Sequence, residues 1–251
     1  KSVLSISDSG LLEVAESIKG ATTFTNANIR YYQTGGNVKV GTLGSSLNSP
    51  TFEIRNNNSR FRFLGGSIYI LRKGENNVAF LADSCNADVD PVWASMYFGD
   101  GASTPVSTIF AVNSAIPFPN LLLQGNNAFT VKQESKPMVV LGDFTIGSGK
   151  TFQTNALDFS LHGDLTNNGT FTASPNKSVF LQGITQVLTG TLNFQNLTIQ
   201  SDAQVELNSL LATAIGVNGN LNILSGSLID NGREISIKGS IINNGTHASP
   251  V

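Results

Sequence analysis

Apolar and polar residues alternate in short segments along much of this 251-residue chain. Residues 158–162 (Asp-Phe-Ser-Leu-His) and 196–200 (Asn-Leu-Thr-Ile-Gln) both place an apolar side chain at every second position. Successive side chains of a β-strand point to opposite faces, so this period is typical of strands with one buried face. Glycine and asparagine separate the segments and readily accept left-handed turn conformations. The pattern predicts an all-β protein built from many short strands.

The alternating segments recur at a long, regular spacing. Residues 118–124 (FPNLLLQ) return as residues 194–200 (FQNLTIQ), and residues 163–170 return as residues 239–246, in both cases 76 positions later. A shorter element, glycine followed by a small polar and an apolar residue, begins at Gly36, Gly66, Gly142, Gly163, Gly219 and Gly239. We therefore predict a parallel β-helix (β-solenoid) with roughly 20 residues per coil within a ~76-residue long repeat, in preference to tandem β-sandwiches. About 11 or 12 such coils would form a rod on the order of 55 Å long.

The repeats divide one continuous solenoid into segments. Residues 11–19 fit either a short amphipathic helix that caps the first coil or a strand. Residues 82–107 align poorly with later copies and are expected to loop out. The predicted segments are 1–65, degenerate N-terminal coils with a candidate cap; 66–141, the first long repeat with the irregular loop at 82–107; 142–218, the second long repeat; and 219–251, the third, truncated. Because the third copy stops within a repeat, we expect the intact polypeptide to continue.

Charged residues make up only 13% of the chain, and the net charge is −2. In a stacked solenoid, equivalent positions lie above one another, so repeated lysines or glutamates would place like charges one strand spacing apart. Asparagine, threonine and serine can form hydrogen-bonded ladders instead. Candidate turn ladders are the Asn-Asn-Gly-Thr turns at 167–170 and 243–246, Asn56–Asn58 and Asn126–Asn127. The slightly negative net charge gives no basic footprint for nucleic acid. No apolar run is long enough for a membrane span. The single cysteine, Cys85, excludes an intrachain disulfide.

One basic group stands out, comprising Arg55, Arg60, Arg62, Arg72 and Lys73. Within it, arginine alternates with Phe61 and Phe63. We expect the phenylalanines to face the core and the arginines to face solvent. We interpret the group as a solvated face in preference to a ligand patch.

Candidate chemistry concentrates in residues 82–107. Asp88 and Asp90 would face the same way in an extended segment, as the paired carboxylates of glycoside cleavage do, and Trp93 could stack on a sugar ring. Asp100 lies in a Gly-Asp-Gly turn. A calcium site is a second hypothesis, with Asp83, Asp88, Asp90 and Asp100 as ligands. Ordinary turns explain the same residues, so Asp88, Asp90, Trp93 and Asp100 are kept as candidate glycan or calcium contacts, and no catalytic residue, metal site or cofactor is predicted.

The second and third copies carry a more specific pattern in residues 179–183 (VFLQG), 194–199 (FQNLTI) and 219–223 (GNLNI). It resembles the β-helical repeat regions of large secreted cell-surface proteins of Bacteroidota, the adhesin or gliding-motility-like substrates of type IX secretion. The resemblance covers roughly residues 116–250. It implies a right-handed parallel β-helix that forms part of a long stalk. No C-terminal sorting domain is recognisable.

The expected function is that of a non-enzymatic structural or adhesive β-solenoid segment of a larger extracellular, cell-surface protein. The expected partners are further repeats of the same polypeptide, glycans or other surface molecules, and copies of the chain itself; nucleic acid and a membrane span are not expected. One alternative is a carbohydrate-active solenoid, either a polysaccharide lyase or hydrolase or a glycan-binding module. The other is a subunit of an extracellular fibre or sheath. Catalysis would require outward Asp, Arg, Lys or His side chains clustered across adjacent coils, whereas a structural role predicts Asn/Thr ladders there instead.

Overall fold

A computed structural model of the chain describes residues 2–19, 28–42, 49–101 and 108–250. It confirms the predicted all-β solenoid: parallel strands stack in about 10 turns, with equivalent positions about 23 residues apart. The turns are longer than the predicted 20 residues because the N-terminal ones are wider. Val38 pairs with Ile68, 30 residues later, whereas Phe144 pairs with Leu165, only 21 residues later.

The described residues form short strands joined by turns. In chain order they are β1 (Ser2–Ile6), β2 (Leu11–Val14), β3 (Ile29–Val40), β4 (Phe52–Arg55), β5 (Arg60–Ile70), β6 (Val78–Asp83), β7 (Asn86–Val89), β8 (Ala94–Phe98), β9 (Ile109–Ser114), β10 (Asn120–Leu123), β11 (Phe129–Gln133), β12 (Met138–Val140), β13 (Phe144–Ile146), β14 (Lys150–Gln153), β15 (Phe159–Leu161), β16 (Leu165–Asn167), β17 (Thr170–Thr172), β18 (Ser178–Leu181), β19 (Thr185–Phe194), β20 (Asn196–Ile199), β21 (Gln204–Leu207), β22 (Thr213–Val217), β23 (Leu221–Ile223), β24 (Ser227–Ile229), β25 (Ile235–Ile237), β26 (Ile241–Asn243) and β27 (Thr246–Ala248). A single 3-10 turn, Glu75–Asn77, is the helical element of the described ranges. None of those ranges contains a helix long and apolar enough to cross a bilayer.

The strands form three parallel sheets. The main sheet runs β1-β3-β5-β8-β10-β13-β16-β19-β21-β24-β27, with β2, β7, β22 and β25 paired alongside. The other two sheets run β4-β6-β9-β11-β14-β17 and β12-β15-β18-β20-β23-β26. The long strands β3, β5 and β19 each pair with two shorter strands of a neighbouring turn. Each turn of the solenoid therefore contributes a new strand to the edge left by the preceding one.

One continuous core runs along the axis. In the main sheet a column of apolar residues lies in register from turn to turn: Leu12, Val38, Ile68, Met96, Leu121, Phe144, Leu165, Leu188 and Leu207. The largest fully buried side chains are Tyr31 and eleven phenylalanines, Phe61 and Phe63 among them. A one-residue slip would move such a column to the solvent side, so the alternation sets the register. The expected orientation of Arg60 to Phe63 is confirmed, since the phenylalanines are buried and the arginines exposed.

Three buried glutamines, Gln33, Gln133 and Gln186, join successive turns at the corners. Gln186 shows the arrangement. Its Nε2 donates to the carbonyl oxygens of Leu161 (3.1 Å) and Gly163 (2.7 Å) in the preceding turn, and its Oε1 accepts the N–H of Gly183 (2.9 Å). Gly163 and Gly183 lie outside the strands, and a buried unpaired polar group is costly. The glutamine amide therefore supplies the hydrogen bonds that the sheets cannot.

A second ladder follows the corner where the Gly-polar-apolar elements begin. The Oδ1 of Asn120 accepts the N–H of Asp143 (2.8 Å), the Oδ1 of Asp143 accepts that of Asp164 (2.9 Å), and the Oδ1 of Asp164 accepts that of Val187 (2.7 Å). A glycine, Gly142 or Gly163, precedes each aspartate because the backbones approach closely: a Cβ on Gly163 would lie 2.3 Å from the preceding turn. The repeated element is therefore a backbone-capping ladder.

The expected turn ladders are only partly right. In the turn at 167–170, Asn167 Nδ2 donates to the carbonyl oxygen of Thr191 in the next turn (2.6 Å), whereas its Oδ1 accepts the N–H of Gly169 within its own turn (3.2 Å). The related Asn243 Oδ1 likewise accepts the N–H of Gly245 (3.2 Å). These asparagines mainly shape their own turns, and the continuous ladder lies at the Gly-polar corner.

The structure also tests the predicted cap within residues 11–19 and the predicted loop at residues 82–107. Within residues 11–19, Leu11–Val14 is a strand paired with β3, so the helical cap is wrong and the strand alternative is right. Residues 82–107 do not loop out as a unit. Their Asn86–Val89 and Ala94–Phe98 are strands of the wall that pair with the two halves of β5. Residues 102–107 of that segment lie outside the described ranges.

Candidate functional site

Strand β7 and the turn that follows it hold three of the residues singled out by the sequence, Asp88 on the strand and Asp90 and Trp93 in the turn. The carboxylate of Asp88 pairs with the Nε of Arg62 on the neighbouring turn at 3.0 Å, and both side chains are about half exposed. Asp90 instead accepts the backbone N–H groups of Val92 (2.7 Å) and Trp93 (3.3 Å). Asp88 therefore balances an arginine, and Asp90 shapes the turn. Trp93 projects from that turn and is 73% exposed.

The remaining two candidate aspartates have lysine partners elsewhere. The Asp100 carboxylate is almost fully buried and pairs with Lys39 at 3.1 Å. Asp83 pairs with Lys136 at 2.5 Å, and this hydrogen bond lowers the pKa of the Asp83 carboxyl. Within the described ranges, no three His, Cys, Asp or Glu side chains are grouped so as to hold a metal ion. The four aspartates of the calcium hypothesis are thus dispersed over separate contacts.

The two histidines are also apart. His162 is half-buried, and burial lowers the pKa of its imidazole. His247 lies on β27, and its Nε2 is 2.9 Å from the Oδ2 of Asp230. Burial raises the pKa of Asp230, but hydrogen bonds from Ser249, from the Gly232 N–H and from His247 outweigh it and leave the pKa lowered. This pair lines a cavity of about 200 Å³ among the apolar residues of the last turns.

A polar cleft of about 360 Å³ lies at the corner that precedes β3, β5 and β7. Its walls come from three successive turns of the chain: Asn28, Arg55, Asn56, Asn57, Asn58, Asp83 and Ser84. Asn56 and Ser84 adopt positive φ angles of 85° and 55°, which turn the chain sharply at the corner. The sequence showed Asn56–Asn58 only as a candidate turn ladder, because the residues that complete the cleft are separated along the chain.

Buried Ser59 directly follows the cleft residue Asn58 and joins two turns of the solenoid. Its Oγ donates to the carbonyl oxygen of Arg55 (2.5 Å) and accepts the N–H of Ile29 from the preceding turn (3.0 Å). Its own N–H donates to the carbonyl oxygen of Asn56 (2.9 Å). One side chain therefore holds the loop of one turn against the start of the strand in another.

The charged groups of the cleft are held from outside it. The Nε of Arg55 lies 2.5 Å from the Oε1 of Glu53, whose side chain is only 9% exposed, while Arg55 itself is 54% exposed. Asp83 is held by Lys136 as described above. The cleft thus presents asparagine amides, which both donate and accept hydrogen bonds, together with a guanidinium and a carboxylate. Such a set suits a ligand with many hydroxyl groups.

Comparison with protein-family models, with curated proteins and with solved structures gave no match. The structure therefore supports the β-solenoid fold that the resemblance to Bacteroidota surface proteins implies. No matching protein supports a relationship to that group.

Proposed function

We propose that this chain is a non-enzymatic structural or adhesive β-solenoid segment of a larger extracellular, cell-surface protein, whose work is to span distance and to present surface. The observation that carries the proposal is the uninterrupted core, with register-paired apolar residues from Leu12 to Leu207. About ten turns at ~4.8 Å per strand give a rod on the order of 48 Å. Each turn is locked to the next by sheet hydrogen bonds and corner side chains, which makes the rod stiff.

The carboxylates of the irregular segment support a structural role over a catalytic one. Asp88 balances Arg62, Asp90 caps its own turn, and Asp100 is buried against Lys39. Each group serves packing or charge balance. Cleavage by the chain of any substrate in a polysaccharide panel, lost in Asp88→Ala or Asp90→Ala, would overturn the non-enzymatic proposal.

Further repeats of the same polypeptide are the proposed neighbour at the last turn. Ile241 and Ile242 on β26 are 60% and 48% exposed, although the equivalent positions in earlier turns are core and wall positions of a paired strand. Stacking one more strand on this edge would bury that apolar surface and pair its backbone groups. This contact is part of the proposal that the chain is a segment of a larger protein.

Adhesion of cells that make the parent protein tests the function. Deletion of this segment is expected to reduce adhesion. Replacement by an unrelated solenoid of equal length restores adhesion if the segment is a spacer, and fails to restore it if the surface itself binds. An epitope placed at the exposed Gly232 turn should be labelled on intact cells. Labelling only after permeabilisation would refute the extracellular location.

A second candidate function is glycan binding by the polar cleft. The observation in its favour is the cleft itself, which brings amides, a guanidinium and a carboxylate together from three turns. It is compatible with an adhesive segment, since the scaffold and the binding surface are the same turns.

A further inference from the structure

Two arginines lie above one another next to the polar cleft. Arg30 on β3 pairs in register with Arg60 on β5, so their outward side chains leave the sheet one strand spacing apart, about 4.8 Å. Like charges directly opposite in a sheet are destabilising. The chain has few charged residues, yet it places two positive charges at stacked positions where they destabilise the sheet.

Three other charged residues are compensated. The neighbouring Arg62 pairs with Asp88 on the next turn at 3.0 Å. Stacked Asp143 and Asp164 each accept a backbone N–H. Within the described ranges, by contrast, no side chain forms an ion pair or hydrogen bond with the guanidinium of Arg30 or Arg60. The two are a cationic pair without a counter-charge.

The arginine pair continues the cleft along the strands. Asn28 lies two residues before Arg30, and Asn58 lies two residues before Arg60, and both asparagines line the cleft. Both asparagines precede the strands, so the cleft adjoins the N-terminal ends of β3 and β5. Within β3, side chains two residues apart point the same way. Tyr32 follows Arg30 on the same side and pairs in register with Arg62. The amide cleft therefore adjoins an outward strand surface that carries two guanidinium groups and an aromatic ring.

We propose that Arg30 and Arg60 bind the carboxylate groups of an acidic, uronic-acid polysaccharide whose hydroxyl groups enter the asparagine cleft. This inference rests on the adhesive role proposed above and names its ligand class. Guanidinium groups bind carboxylates through paired N–H donors, and an anion between the two arginines removes their mutual repulsion. A nucleic acid fits the surface less well, because it requires many clustered lysines and arginines, and this chain carries a net charge of −2.

Binding of polygalacturonate to the full 251-residue chain tests the proposal, measured by biolayer interferometry with neutral dextran and dextran sulfate as comparison ligands. We expect Arg30→Gln and Arg60→Gln each to weaken polygalacturonate binding about tenfold, and the double variant to abolish it. Lys238→Gln removes one exposed positive charge far from the cleft and should leave the Kd unchanged. Dextran should not bind.

Several outcomes would overturn the proposal. Unchanged Kd in the double variant would exclude the arginine pair, and an equal loss in Lys238→Gln would show a general charge effect. Binding of dextran sulfate without polygalacturonate would exclude the uronate assignment. The thermal midpoint of Arg60→Gln should equal or exceed that of the parent, and a clear fall would refute the argument from repulsion. Failure of the adhesion and labelling experiments with polygalacturonate binding intact would sink the cell-surface role and leave this site standing.

Discussion

Replacement of Gln186 by methionine tests whether buried corner glutamines hold the turns together. Methionine has nearly the volume of glutamine, so the change removes three hydrogen bonds with little change in packing. Leu161 keeps a partner, because its carbonyl oxygen also accepts the N–H of Gln182 at 3.0 Å. The groups left without a partner are the N–H of buried Gly183 and the carbonyl oxygen of half-buried Gly163.

The expected loss follows from those two groups. A buried unsatisfied group costs about 1–3 kcal/mol, and the half-buried carbonyl of Gly163 recovers part of its hydration. We therefore expect Gln186→Met to lower the free energy of unfolding by about 3 kcal/mol. With an m-value of about 5 kcal/mol/M in guanidinium chloride for a chain of this size, the denaturation midpoint falls by about 0.6 M.

The assay is guanidinium denaturation followed by circular dichroism, combined with amide exchange at Gly183. The control is Gln204→Met: Gln204 is exposed and bonds only the Glu206 side chain, so its midpoint should move by less than about 0.1 M. A Gln186→Met midpoint equal to that of the parent, with unchanged protection of the Gly183 N–H, would refute the role assigned to the glutamines.

Three further predictions concern single sites. A Cβ on Gly163 would lie 2.3 Å from the backbone of Gly142, so Gly163→Ala should cost about 2 kcal/mol or more, whereas Gly10→Ala, with 3.4 Å of clearance, should cost under about 1 kcal/mol in thermal unfolding. Burial lowers the pKa of His162, so the unfolded chain takes up the proton first as the pH falls. The free energy of unfolding should therefore fall as the pH drops below about 6.5. His162→Gln should lose this pH dependence between pH 7 and 5. Burial raises the pKa of Cys85 to about 11, so its alkylation at pH 8 should be roughly 100-fold slower than in the urea-unfolded chain, and equal rates would contradict this.

The sequence predicted the features that depend on local periodicity. Phe118 and Phe194, which begin the repeated segments 76 positions apart, are both buried. The alternation through Phe61 and Phe63 was also oriented correctly. These predictions succeed because the side chains of a strand alternate regardless of what it pairs with. Strand identity and inward face can therefore be determined from a few residues.

Features that depend on register between turns were missed. Sequence proximity grouped Arg60 with Arg55 and Arg62, whereas the structure pairs it with Arg30, 30 positions earlier. The coil length was estimated from the regular C-terminal repeats, and it does not apply to the wider N-terminal turns. A signal was present in the sequence, because Asn28 and Arg30 recur as Asn58 and Arg60 at the same separation. A uniform period of twenty residues could not show it.

Because the turns of the solenoid stack, each charged residue that does occur carries information. In a solenoid, an outward position repeats beside itself, so a charge is tolerated where the fold itself supplies a counter-group. The Asp143 and Asp164 ladder meets this condition through backbone N–H groups, and Arg62 meets it through Asp88. Arg30 and Arg60 have no such group within the described ranges, so their repulsion lowers stability unless an external anion lies between them. The same rule that explains the low charge of the whole chain therefore identifies, in the part of the chain that the structure describes, a place where a bound anion would stabilise the fold.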